Sequence, residues 1–108
     1  MAEPEYIQAF IRVRTRIEID IHPHAAERMD ERPEATADRV ESAVRRGRIE
    51  SEKCSPCEGK EYSKIVASHF DGKALITVEV VILHHEAFEI AEVRTIWVTE
   101  GRPTRKKP

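Results

Sequence analysis

The sequence contains no long hydrophobic run. None of its apolar stretches approaches the roughly 18 to 20 residues that a membrane-spanning helix needs. The first residues, MAEPEY, show neither the basic start nor the apolar segment of a secretion signal. We therefore expect a cytoplasmic protein that has no membrane partner.

Cysteine is also scarce, since the chain has only Cys54 and Cys57, spaced C-x-x-C. Without a secretion signal, two cysteines do not predict a disulfide framework. Two thiolates at this spacing can occupy adjacent corners of a zinc site, but only His69 or the pair His84-His85 could complete it. The neighbouring proline and glycine favour an incidental loop without a cofactor, and structural zinc or redox chemistry are the alternatives.

The chain lacks a positive net charge, with 18 basic and 20 acidic residues and a net charge of -2. Its last residues are nevertheless basic and contain no acid: Arg102, Arg105, Lys106 and Lys107. Without these four, residues 1–101 have 14 basic residues against 20 acidic ones, a net charge of -6. That charge opposes nucleic-acid binding, which would need a local basic groove, the tail or a partner.

The length of 108 residues fits one domain. We predict a single domain over residues 1–101 and a flexible basic tail over residues 102–108, which is either a solvated end or a nucleic-acid contact through Arg102, Arg105 and Lys106.

A long alternating pattern at residues 7–21 places apolar side chains at the odd positions. Such a period of two predicts a half-buried strand. Arg12, Arg14 and Arg16 would lie on its polar face, as a solvated edge or as a surface for a protein partner or a second copy of the chain.

The remaining pattern predicts helices over 24–32 and 36–46, and strands over 62–70, 73–84 and 88–98. The resulting order, β-α-α-β-β-β, predicts an α+β domain. Its two helices would pack on one face of a mostly antiparallel four-stranded sheet.

The last predicted strand alternates between two sets of side chains. Strict alternation puts Ile96 and Val98 on one side of the sheet, and Val93, Thr95 and Trp97 on the other side.

The first predicted helix contains the most specific motif, PHAAERMDER, in which His24, Arg28 and Arg32 recur every four residues. Side chains four residues apart share a helix face, about 6 Å from each other. Histidine can act as base or acid near neutral pH, and arginine holds phosphate, so the stripe is compatible with RNA cleavage. An ordinary solvated helix surface is the alternative.

The motif, with RGRIESE after it and EVRTIWV in the last strand, resembles the H-A-x-x-R-M-x-x-R start of domain-of-unknown-function family 4258. That family is similar to a branch of the RelE and ParE toxin-like superfamily, which includes barnase-like, EndoU and colicin-type ribonucleases. The chain departs from the family pattern at the PEAT turn, at Trp97 in place of a more usual tyrosine, and in the loop that holds Cys54 and Cys57.

The resemblance implies a RelE-like fold, a toxin-type metal-independent endoribonuclease, and RNA and an antitoxin-like protein as partners. Carried over residue by residue, His24, Arg28, Arg32 and Thr95 are the expected catalytic residues. His69, which the resemblance does not supply, is an expected RNA contact from the sheet if the helix packs over its strand. A catalytically inactive module that binds a protein or forms a homodimer is the alternative within this fold, and a small zinc-binding domain is a third hypothesis.

Overall fold

A computed structural model describes residues 4–56, 62–84 and 89–100, which form an α+β domain. The described residues contain three helices, a short 3-10 turn at Ser51–Lys53, and a mixed six-stranded sheet. None of the helices in this described part has the length and apolar character that a membrane crossing requires. The elements are, in chain order, α1 (Glu5–Val13), β1 (Glu18–Ile21), α2 (Pro23–Glu31), α3 (Ala37–Arg46), β2 (Arg48–Ile49), β3 (Ser55–Pro56), β4 (Tyr62–Phe70), β5 (Ala74–His84) and β6 (Glu89–Glu100).

The prediction of one long strand over residues 7–21 is wrong, because this segment folds into α1 and the short strand β1. Its apolar residues satisfy a helical period as well as a period of two. Ile7 and Phe10, three positions apart, are buried, whereas Ile11 is 44% exposed. A strand would have placed Phe10 on the polar face, so this residue distinguishes the two periods.

Arg14 links the end of α1 to the end of α3 by hydrogen bonds. Its guanidinium donates hydrogen bonds to the carbonyl oxygens of Val44 at 3.0 Å and Gly47 at 2.7 Å, and it lies 5.2 Å from the centre of the Phe10 ring. Burial lowers the pKa of Arg14 from its ordinary value. The arginines at positions 12, 14 and 16 therefore do not form a ladder on an open strand face.

The two helices predicted from sequence are present as α2 and α3, and each has a side-chain cap at its start. The His22 ring accepts a hydrogen bond from the backbone N–H of His24 at 3.1 Å, and the Thr36 hydroxyl accepts one from the backbone N–H of Arg39 at 3.2 Å. Such caps satisfy backbone donors that have no partner within the helix.

The sheet has the strand order β1-β6-β5-β4-β2, and β3 pairs with the same strand, β4. Strands β4, β5 and β6, which the sequence predicts, pair with each other antiparallel in chain order. The turn between β4 and β5 uses Gly72 at φ 101°, a conformation that glycine adopts without steric cost. Strand β1 pairs in parallel with β6, so the sheet is mixed rather than a four-stranded antiparallel one.

The hydrophobic core lies between the helices and one face of the sheet. Alternate residues of β5 point into it, namely Ala74, Ile76, Val78, Val80 and Ile82. Helix α3 packs on β4 and β5, and α2 packs on β6. Met29 of α2 lies beside Ile19 and Val40 on this side. The helices therefore cover one face of the sheet, as the sequence predicts, and the opposite face carries no helix among the described residues.

Candidate functional site

The face of β4, β5 and β6 opposite the helices, which we call the open face, forms a concavity of about 680 Å³. Its apolar floor includes Val66, which is buried but is separate from the core under the helices. The side chains around this floor are polar or aromatic, and include Lys53, Lys64, Thr77, Glu79, Trp97 and Thr99. The volume lies in the range of ligand-binding sites, about 300 to 1,000 Å³.

A β-bulge in β6 shapes the open face. Val93 pairs with Val80 and Thr95 pairs with Glu79, so Arg94 is an extra residue without a partner on β5. The bulge changes which positions point into the core, from odd ones before it to even ones after it. Trp97 consequently faces the open side, 45% exposed. Bulges often redirect side chains next to active sites.

Glu79 lies at the bulge and accepts contacts from both neighbouring strands. One carboxylate oxygen accepts a hydrogen bond from the Thr95 hydroxyl at 3.2 Å. The other oxygen lies 3.5 Å from Nζ of Lys64. The Glu79 side chain is 25% exposed, so a bound molecule can reach its carboxylate. This arrangement combines a proton acceptor with an adjacent cation.

Other charged groups surround this centre. Nε of Arg94 in the bulge donates to the Glu92 carboxylate at 2.6 Å. Glu50 accepts a hydrogen bond from the Ser68 hydroxyl at 2.7 Å. Lys53 forms no ion pair with any residue that the structure describes. The open face therefore carries acidic and basic groups in similar number, and its carboxylates already have partners.

His24 and Arg28 lie four residues apart in α2, whereas Arg32 follows the end of the helix with an extended backbone, φ -124° and ψ 101°. Each arginine lies near a carboxylate: Arg28 is 3.8 Å from Glu31, and Arg32 is 3.6 Å from Glu34. His24 is exposed. These contacts are typical of a solvated charged helix surface, where such pairs contribute little stability.

The structure does not bring this helix surface together with Thr95. Helix α2 packs on the core side of the sheet through Ala25 and Met29, whereas the Thr95 hydroxyl contacts Glu79 on the open face. His69 of β4 pairs with Ile76, a core residue, and is therefore on the helix side too. The tail residues Arg102, Arg105 and Lys106 lie outside the described residues.

Cys54 has a structural role at the edge of β4. Its sulfur accepts the backbone N–H of Val66 at 3.2 Å, and its thiol donates to the carbonyl oxygen of Glu50 at 3.3 Å. Between β2 and β3, which both pair with β4, the Cys54 side chain thus provides the hydrogen-bonding partner that a neighbouring strand would otherwise provide. Cys57 lies outside the described residues. Within the described part, no three histidine, cysteine or carboxylate side chains are grouped as metal ligands.

Glu79, Lys64 and Trp97 are not among the site residues predicted from the sequence. A signal was present for the first of them, because Glu79 is the only Asp, Glu, Lys or Arg within β5. A single charge inside the central strand of a sheet must find a polar partner or face solvent. Lys64 and Trp97 have no comparable signal, since charged and aromatic residues are common on exposed strand faces.

Comparison with known proteins supplies no relative. No protein-family model matches this chain, and neither a curated protein nor a solved structure matches it.

Proposed function

We propose that this protein is a RelE-like, toxin-type endoribonuclease that cleaves RNA without a metal ion, and that its active site is the open face. The observation that carries the proposal is the position of Glu79, at a β-bulge and between Lys64 and Thr95. The resemblance to toxin-like ribonucleases supports the same reaction class, and of its two stretches EVRTIWV contributes Thr95 to this site, whereas the α2 motif lies on the helix side.

The proposed reaction is attack of the ribose 2′-oxygen on the adjacent phosphorus. The Glu79 carboxylate takes the 2′-hydroxyl proton, the bond from the 2′-oxygen to phosphorus forms, and the bond from phosphorus to the 5′-oxygen breaks. The departing 5′-oxygen takes a proton from water, and the hydroxide so formed takes the proton from Glu79, which restores the carboxylate. The products are a 2′,3′-cyclic phosphate and a 5′-hydroxyl end.

The neighbouring side chains would assist this reaction electrostatically. The Lys64 ammonium and the Arg94 guanidinium can balance the negative charge that grows on the phosphoryl oxygens. Thr95 holds one carboxylate oxygen in place. In this proposal His24 and Arg28 are a solvated surface of α2, Arg32 lies after the end of that helix, and the basic tail supplies positive charge that the acidic body lacks.

The decisive experiment compares the two faces of the sheet. Wild type, Glu79→Gln and His24→Ala are incubated with a labelled unstructured RNA in EDTA, and the cleaved fraction is measured over time. We expect Glu79→Gln to cut the rate about 100-fold or more, as for loss of a general base, and His24→Ala to leave it unchanged. The cleavage rate of Thr95→Val should lie between the rates of these two variants.

Loss of cleavage in His24→Ala with full activity in Glu79→Gln would place the chemistry on α2 and reject the open face as the site. Intact RNA in every sample, with and without ribosomes, would reject the ribonuclease. Circular dichroism of each variant separates a lost active site from lost folding.

A catalytically inactive, protein-binding module is the second candidate, and the edge of the sheet favours it. Strand β1 ends the strand order, so its outer edge has no strand partner among the described residues. Ile21 on this strand is exposed. Glu18 and Asp20 alternate with the apolar residues, and two such strands would repel each other. We therefore propose this edge for an antitoxin-like protein rather than for a homodimer.

Size-exclusion chromatography with light scattering tests the second candidate. A monomer would agree with repulsion between two acidic β1 edges, whereas a dimer that an Ile21→Lys variant abolishes would show self-association at this strand.

A further inference from the structure

Trp97 is the only tryptophan of the chain, and packing does not explain its position. Its neighbour in the chain, Ile96, is 2% exposed in the core, whereas the Trp97 side chain is 45% exposed on the open face. Large aromatic side chains are usually buried because they contribute much apolar area. An indole that a bulge turns toward solvent suggests a surface for a ligand with a flat ring.

We propose that Trp97 is a stacking platform for an unpaired base, and that the open face therefore selects single-stranded RNA over duplex RNA. The inference rests on the proposed ribonuclease function, whose substrate class it names. Aromatic side chains stack on any base that is not hidden in a helix. In a duplex the bases stack on each other, and the deep, narrow major groove admits no side chain.

Hydroxyl groups flank the indole on the same face. Thr95 and Thr99 are its neighbours two residues away along β6, and Thr77 pairs with it on β5. Because strand residues two apart lie on the same side, these hydroxyls surround the ring with hydrogen-bonding groups. They can bond the sugar of a nucleotide whose base stacks on Trp97.

Two of the four charged side chains of the concavity are lysines that can contact a phosphate backbone beside the indole. Lys64 and Lys53 line the same concavity as Trp97, and Lys53 has no ion pair within the described part of the chain. Glu79 and Glu50 already accept contacts from neighbouring side chains. Lys53 and Lys64 can thus contact the phosphate groups of a strand whose base stacks on Trp97, although the concavity has as many glutamates as lysines.

The single tryptophan makes the test direct, because any change in protein fluorescence reports on Trp97. The full-length Glu79→Gln variant, which is expected to leave RNA uncut, is titrated with a single-stranded oligoribonucleotide of about 10 nucleotides. The same strand annealed to its complement serves as the duplex probe. We expect saturable quenching by the single strand, weaker binding at higher salt, and at least tenfold weaker binding of the duplex.

Variants of Trp97 are compared by anisotropy of the labelled single strand. Trp97→Ala should weaken binding by about 5- to 150-fold, the range measured for removal of one base stack. Trp97→Phe keeps a ring and should bind within a few-fold of the parent. Arg28→Ala on the helix side is the matched control and should bind normally. Because Trp97 is exposed, its variants are expected to fold.

Equal binding of single strand and duplex, absence of quenching, or normal binding by Trp97→Ala would overturn the inference. If Trp97→Ala binds normally while Glu79→Gln alone loses cleavage, the ribonuclease stands and the stacking role falls. If single strands quench Trp97 but wild-type protein cleaves no RNA, the stacking role stands and the catalytic proposal falls.

Discussion

Arg14 is one of three arginines that alternate along residues 12–16, and the structure gives it a role that the other two lack. Its guanidinium reaches the carbonyl oxygens of Val44 and Gly47 at the end of α3, where backbone acceptors have no partner within the helix. Replacing Arg14 by alanine removes both hydrogen bonds. It also removes a cation from the negative end of the helix dipole.

The expected loss follows from these contacts. A hydrogen bond from a charged group contributes about 1.5 to 3 kcal/mol, and water can partly replace the half-buried Arg14 side chain as the donor. From the two bonds together we expect Arg14→Ala to lower the free energy of unfolding by about 2 to 4 kcal/mol. A domain of this size would melt about 4 to 8 °C lower for each kcal/mol lost. Arg14→Lys keeps the charge but not the planar fork, so its loss should be intermediate.

Urea unfolding followed by circular dichroism measures the effect, and Arg12→Ala is the matched control. Arg12 is exposed on the same helix, two residues before Arg14, and its replacement should change the free energy of unfolding by less than about 0.5 kcal/mol. Equal losses in Arg12→Ala and Arg14→Ala would refute the reasoning, and would favour the strand in which both side chains lie on a solvated face.

Two further predictions concern the sheet. Hydrogen bonds from the backbone N–H groups of Lys73 and Ala74, with the Arg39 guanidinium, lower the pKa of Asp71 to about 2. Because this folded-state pKa is below the unfolded value of about 3.9, the stabilisation is complete above pH 4 and is lost as the pH falls toward 2. The urea midpoint of wild type should therefore fall more steeply in that window than that of Asp71→Asn. On β6, Ile96→Ala should cost about 2 to 5 kcal/mol in urea unfolding, and Trp97→Ala less than about 1 kcal/mol; similar losses at both positions would contradict the assigned faces.

Local signals predicted part of the fold. Pro23 and Thr36 mark the starts of α2 and α3, and the Asp71-Gly72 pair marks the turn between β4 and β5. The prediction of a strand over residues 7–21 was wrong because the apolar residues there fit a helical period as well as a period of two. Only the tertiary packing of Phe10 distinguishes the two periods. Parallel pairing of β1 with β6 joins residues about 70 positions apart in the chain, and no local pattern encodes that choice.

The candidate site was harder to predict because one residue, Arg94, determines on which face of the sheet the following β6 side chains lie. Strict alternation along β6 groups Val93 with Thr95 and Trp97, whereas the bulge at Arg94 puts Val93 on the core side and the other two on the open face. The sequence contains a sign of this change, since the apolar residues Ala91 and Val93 are at odd positions and Ile96 and Val98 are at even positions. Thr95 was therefore placed on the last strand correctly, but without its partners.

The bulge and the charge of Glu79 depend on each other. Glu79 faces away from the core because its neighbours Val78 and Val80 are both fully buried, so its carboxylate needs polar groups on the open side. If Arg94 took a regular place in the ladder, the positions that follow it on β6 would exchange faces: Ile96 would move to the open side, and Trp97 into the core. Thr95 reaches Glu79 because Arg94 takes no place in the ladder. A break in strand alternation opposite a single charge in the neighbouring strand is thus a sequence pattern that points to a site on the uncovered face of a sheet.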